Sequence, residues 1–397
     1  MAVSIPIASK RVELGAGFLI SLVLLTGCGS LQVENAYSVG EADWLTEGAS
    51  PQRSYMPIAD VAPPLEEVWS YNAGAAFGPG SPLLLGDNVI VATRRGEVHV
   101  VDLTTGKRRG VKEFGDAVEG TPAIENGVIY IPVAWGKRAL YAHDLTSGET
   151  LWSMKDAPIE AGILVSGDQI IVVDAESRVR GINARSGEIE WERALDSLVT
   201  VLASPVATGD HAIVVADDRG GVLALSTTDG RDLWRTDIGM PVHATPSSNE
   251  DLVFLPTTRG HLVALDTETG AIRWTYAVEG KAVYISTPAV SESEVVFGAS
   301  DGKLRALDAT SGALRWTFDA GEGFAAAPLI AAHTVFAGGL DGKLYAVERA
   351  TGRLVWEQQL EGRIKSALAA RDEYIVVTSE PQNVYLFKAA DAYARSK

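Results

Sequence analysis

From Leu65 almost to the C-terminus, short runs of alternating or β-branched residues follow one another, each closed by a turn signal. The stretch after Ser286 shows one unit. Thr287-Pro-Ala-Val-Ser opens it, and Glu294-Val-Val-Phe-Gly-Ala-Ser is largely β-branched. Asp301-Gly302 reads as a two-residue hairpin turn, because both residue types tolerate positive φ. Lys303-Leu-Arg-Ala-Leu-Asp alternates, Ala309-Thr-Ser-Gly312 turns again, and Ala313-Leu-Arg-Trp316-Thr-Phe closes the unit. That is four antiparallel strands in about 41 residues with no helical period.

The unit recurs. Gly106, Gly148, Gly187, Gly230, Gly270, Gly312 and Gly352 stand 39 to 43 residues apart. Four residues after each comes Trp152, Trp191, Trp234, Trp274, Trp316 or Trp356; only Gly106 is followed by Gly110 instead. A 40-residue period of four short strands predicts an all-β, eight-bladed β-propeller of four-stranded antiparallel blades. Seven blades come from the turns. The eighth is assembled from Leu368 to Phe387 and the N-terminal strand around Trp69, which closes the ring and removes its free edges. Trp69 and the six repeat tryptophans are expected to dock blade on blade, since a flat indole suits the gap between twisted sheets and needs a partner for its N–H.

The 397 residues are 46% hydrophobic and carry a net charge of −17, which disfavours nucleic acid as a partner. There is one cysteine, Cys28, so no intrachain disulfide forms. Lys10 and Arg11 precede the apolar stretch Leu14 to Leu25, too short to span a membrane and right for a signal peptide. Leu25-Thr26-Gly27-Cys28 then resembles the bacterial lipobox, which implies lipid attachment at Cys28. Gly29, rather than Asp, follows the cysteine. The domain reading is therefore 1–27 lipoprotein signal peptide, 28–62 tether and 63–397 propeller, with Trp44 and Tyr55 of the tether expected to dock on the body.

The turns carry a family motif. Ala264-Leu-Asp266-Thr-Glu-Thr269-Gly270-Ala-Ile-Arg-Trp274 and Ala306-Leu-Asp308-Ala-Thr-Ser311-Gly312-Ala-Leu-Arg-Trp316 resemble the quinoprotein (PQQ) repeat, over about residues 65 to 390. The resemblance implies one of two branches. PQQ- and calcium-dependent dehydrogenases are longer, and many carry adjacent cysteines that this chain lacks. The second branch, the BamB-type assembly lipoproteins of the outer membrane, matches in length, lipobox and blade count. It implies a non-enzymatic scaffold without cofactor, lipid-anchored in the outer membrane and facing the periplasm. Its partner would be the barrel-assembly subunit, with the protein monomeric within a complex. A third reading is a propeller binding a polymer or small ligand in its channel.

Members of that branch bind the barrel subunit through a Leu- and Arg-containing loop between the third and fourth blades. Here the stretch is Leu195-Asp-Ser-Leu198-Val-Thr-Val-Leu202, without Arg. Leu198, Val199, Val201 and Leu202 are the candidate contacts. Arg94, Arg95, Arg108 and Arg109, clustered in the unit that lacks its Trp, are a second candidate surface for an acidic partner or anionic lipid. The six histidines are scattered without metal-ligand spacing, so no metal site is expected. His243, before Thr245-Pro246, is placed to face the channel.

Overall fold

The computed structural model describes residues 31–390 apart from 34, 35, 37, 58–60, 197, 198, 210 and 281. Cys28, the signal peptide and Leu198 lie outside the described residues. Eight four-stranded antiparallel sheets are arranged as the blades of a propeller. Blade 1 comprises Leu83–Leu85, Asn88–Ala92, Glu97–Asp102 and Arg108–Glu113, and blades 2 to 7 repeat the pattern in chain order. Blade 8 joins Ala369–Arg371, Tyr374–Ser379 and Asn383–Ala389 to the N-terminal strand Leu65–Asn72. That strand runs in register from Leu65 opposite Ala389 to Asn72 opposite Asn383, so the expected closure is present.

Within each blade the second and third strands are almost wholly buried, as at Leu252–Pro256, while the fourth alternates with its outer face in solvent. Strand Lys303–Asp308, which the sequence presents as alternating, is buried over its four central residues. The Asp301-Gly302 signal marks a four-residue loop, 299–302, rather than a two-residue turn. Asp301 accepts the amide of Lys303 and pairs with Arg305, which holds the wider loop.

The blade contact is the same at six of the eight seams. The indole N–H of Trp69 donates to the Leu103 carbonyl at 2.8 Å, that of Trp191 to Thr227 at 2.7 Å, and that of Trp274 to Ala309 at 2.9 Å. Trp152, Trp234 and Trp316 donate likewise to Ala184, Thr267 and Arg349. Each acceptor belongs to the next blade, one residue past the turn's Asp or its substitute. Each ring then lies on the next blade's glycine. Gly270 has φ +69°, and a Cβ there would stand 2.4 Å from Trp234. Glycine is required at this place by conformation and by contact at once. Trp356 instead meets Phe387 of blade 8 edge-on, 6.2 Å between ring centres.

Trp191 is 7% exposed, so Trp191→Ala should lower stability by about 3–5 kcal/mol, read from denaturant unfolding. Leu151→Ala, beside Trp152 on the outer strand of blade 2 but half exposed, should stay within about 0.5 kcal/mol.

Candidate interaction site

The blades present two different ends. One, the turn face, carries the Asp-x-x-Thr-Gly turns and the hairpins between first and second strands. The other, the loop face, carries the second-to-third-strand loops and the connections between blades.

The described part of the segment expected as a tether is packed into the body. An innermost strand pairs on one side only, which leaves amides facing the axis that need partners. Residues 44–55 supply them. Amides of Leu84, Ile124, Ala207, Ser248, Val290 and Ile330, from six blades, donate to carbonyls of Trp44, Leu45, Pro51, Gln52, Ser54 and Tyr55 at 2.8–3.0 Å. Ala49, Arg53 and Tyr55 adopt φ of 66°, 55° and 54° to follow this path. Such conformations persist only where surrounding contacts over-determine them. Trp44 and Tyr55 are 1% and 0% exposed, and Trp44 donates to Ser81 Oγ at 3.1 Å.

At the axis Arg53, with no exposed surface, pairs with Glu47 at 2.5 Å and donates to the Pro205 carbonyl at 2.9 Å. Tyr55 Oη and Ser204 Oγ donate to the two oxygens of Glu47 at 3.1 and 3.2 Å. Burial, reinforced by the Glu47 carboxylate, pushes the Tyr55 hydroxyl well above its ordinary range. The remaining axial cavity, toward Glu160, Leu202 and His243, is about 120 Å³. Small side chains, Thr121, Ser204, Thr245 and Ala327, line it, as the convergence of eight strands demands. Small-molecule pockets usually span about 300–1,000 Å³. Among the described residues no cluster of His, Cys, Asp or Glu could hold a metal ion. At the turn-face mouth of the axis a wider cleft of about 730 Å³ opens beside Ser50, Gln52 and Ser54.

The same segment also explains the missing Trp of blade 1. Where an indole would meet the turn of blade 2, Gln32 packs on Gly148 and donates to the Ser147 carbonyl at 2.7 Å. The Val33 amide takes the Leu145 carbonyl at 2.6 Å, the place an indole N–H fills elsewhere. His143 Nε2 donates to the Leu31 carbonyl at 3.0 Å, while its Nδ1 faces Lys112 Nζ at 3.3 Å. Leu31 and Val33 are 0% and 3% exposed.

The four candidate arginines do not form one patch. Arg94 and Arg95 lie on the loop face and Arg108 and Arg109 toward the turn face. Strand Glu97–Asp102 separates them by about 17 Å. Arg94 pairs with Glu119 at 2.8 Å and Arg109 with Asp102, and Arg108 sits beside Tyr71 and His99. The loop between blades 3 and 4 is also divided. Val199 and Val201 line a pocket of about 290 Å³ with Val215 and Leu223, rimmed by Asp217, Arg219 and Arg235. Leu202, 42% exposed, borders the axial cavity instead. Sequence reasoning missed Trp135, 62% exposed on the loop face. The available signal was its place outside the repeat: seven tryptophans hold repeat positions, and Trp44 and Trp135 do not.

These features define a quinoprotein-repeat propeller whose axis is filled by its own N-terminal segment. The family model for outer membrane protein assembly factor BamB matches residues 58–197, 136–237, 218–331 and 310–394, and the chain belongs to that family. The BamB of Burkholderia pseudomallei is 24% identical over 241 residues, 57% of this chain. The match spans 61% of that relative's length. The crystal structure of BamB from Moraxella catarrhalis superposes with a TM-score of 0.65 at 20% identity, covering 82% of this chain and 99% of that one. Quinohemoprotein alcohol dehydrogenase from Comamonas testosteroni reaches 0.75 at 15% identity, covering 87% and 80%, a likeness of fold alone.

Two predictions concern the N-terminal segment. Arg53→Met should cost about 3–5 kcal/mol by stranding the Glu47 carboxylate, and adding Glu47→Leu should recover most of it in guanidinium unfolding. The second concerns pH. Burial, with Lys112 adding to it and the Leu31 carbonyl opposing, pushes His143 down from 6.5 to about 4. The unfolded chain therefore binds a proton that the folded protein does not. The stability that His143 contributes is fully present above pH 6.5 and is lost as pH falls toward about 4. Guanidinium unfolding should show that loss through the window, and His143→Gln should remove it.

Proposed function

We propose that the protein is a non-enzymatic, lipid-anchored scaffold of outer-membrane β-barrel assembly, attached through Cys28 and facing the periplasm. It binds protein partners through its loop face. The observation that carries this reading is the filled axis: the fold's usual place for a small ligand is occupied by the chain's own residues 44–55, and the loop face carries features suited to recognition. Those features are the pocket floored by Val199 and Val201, with charges at its rim, and the exposed Trp135, Leu202 and Val283. An exposed Trp and an apolar pocket inside a charged rim are the elements from which interface hot spots are built. Family membership supports the barrel-assembly subunit as the partner and a monomer within the complex as the state. The loop has no Arg; Arg219 and Arg235 stand at the pocket together with Asp196, Asp217 and Asp237.

Affinity purification of the full-length protein from mild-detergent membranes should recover the barrel-assembly subunit. Trp135→Ala together with Val199→Asp should lower that recovery at least tenfold, about 1.4 kcal/mol, with unfolding unchanged. Undiminished recovery would move the interface elsewhere. Dye reduction upon incubation with PQQ and calcium would overturn the non-enzymatic reading.

A further inference from the structure

We infer that the propeller is not hung from a free tether but held with the blade 1 and blade 2 rim of its turn face against the lipid headgroups, so that its loop face points away from the membrane. The inference rests on lipid attachment at Cys28. The first docked residue is Leu31, with no exposed surface, its carbonyl taken by His143 and its neighbour Val33 bound to Leu145. Three Cα–Cα steps separate the cysteine from it, and a fully extended chain covers at most about 11 Å over that length. The acyl chains must therefore enter the bilayer within about 11 Å of the seam between blades 1 and 2. From Leu31 the segment runs inward to the axis, where six blades hold it. The anchor is thus continuous with the most constrained part of the structure.

Charge agrees with this orientation. On a chain of net charge −17, an anionic leaflet repels most of the surface. Beside the seam, the turn of blade 1 continues into Lys107-Arg108-Arg109, the one place where three basic residues follow each other. Lys107 and Arg108 are exposed there. The corresponding turn of blade 2, Thr146-Ser147-Gly148-Glu149, brings one acidic residue.

The test uses the acylated full-length protein in phosphatidylethanolamine and phosphatidylglycerol vesicles that carry a quencher on the headgroups. A fluorophore is placed on Lys107→Cys at the seam, or on Arg95→Cys on the loop face of the same blade. Quenching should be several-fold stronger at position 107, and a long Gly/Ser insertion between Cys28 and Leu31 should make the two positions equal. Equal quenching in the chain of natural length overturns the orientation while leaving the anchor intact. If mass spectrometry finds Cys28 without acyl chains and the protein stays in solution, the anchoring reading fails and takes the orientation with it.

Discussion

The structure depends on one contact made between neighbours: at six of the eight seams an indole from one blade donates to a carbonyl of the next and lies on that blade's turn glycine. The two conserved-looking members of each Gly-x-x-x-Trp step therefore never serve one another. Trp191 meets Gly230, and Trp234 meets Gly270. Blades 3 to 6 each carry a ring for the blade ahead and a seat for the ring behind, so four-stranded sheets that cannot cover their own faces support one another in the closed set. Closure requires the chain's two ends to share a blade, and Trp69 puts the N-terminal strand under the same rule, with its indole on Leu103 and its ring on Gly106.

A ring of eight blades creates a second constraint at its centre. Eight innermost strands converge with one edge unpaired, and the space between them is too wide to close by side-chain contact alone. Water or a ligand can satisfy such edges. Here the chain does so itself, by laying residues 44–55 across the axis one carbonyl per blade. The buried Glu47 and Arg53 fix that path through charge, since neither is tolerated at the axis without the other. Filling the centre leaves an axial cavity of about 120 Å³ toward the loop face.

Strand count, blade count and closure were legible because each rests on a period: two for strands, about 40 for blades. The N-terminal segment was not. Its bonds go singly to six different blades, so its sequence needs no period, and its Ser, Gly, Ala and Pro content looks like a linker. The basic cluster misled for a related reason. Residues 94 and 109 are close in sequence but stand at opposite ends of one strand pair, and the alternation that identifies the strand also separates its ends. Departure from the repeat carries part of the signal: Trp44 and Tyr55, which the sequence predicts to dock on the body, are buried there, while Trp135, also outside the repeat, stands in solvent on the loop face.

The missing indole of blade 1 joins these two levels. Once the clip is understood as a donor to a fixed carbonyl plus a body on a glycine, Gly110 is a vacancy that something else must fill. The Val33 amide supplies the donor and Gln32 the body. An indole at position 110 would claim the same carbonyl and the same glycine, so a Trp there and a docked residue 33 exclude each other. Blade 1 therefore gave up its own clip to receive the segment that goes on to fill the axis. The seam where the repeat fails is where the N-terminal arm enters the propeller.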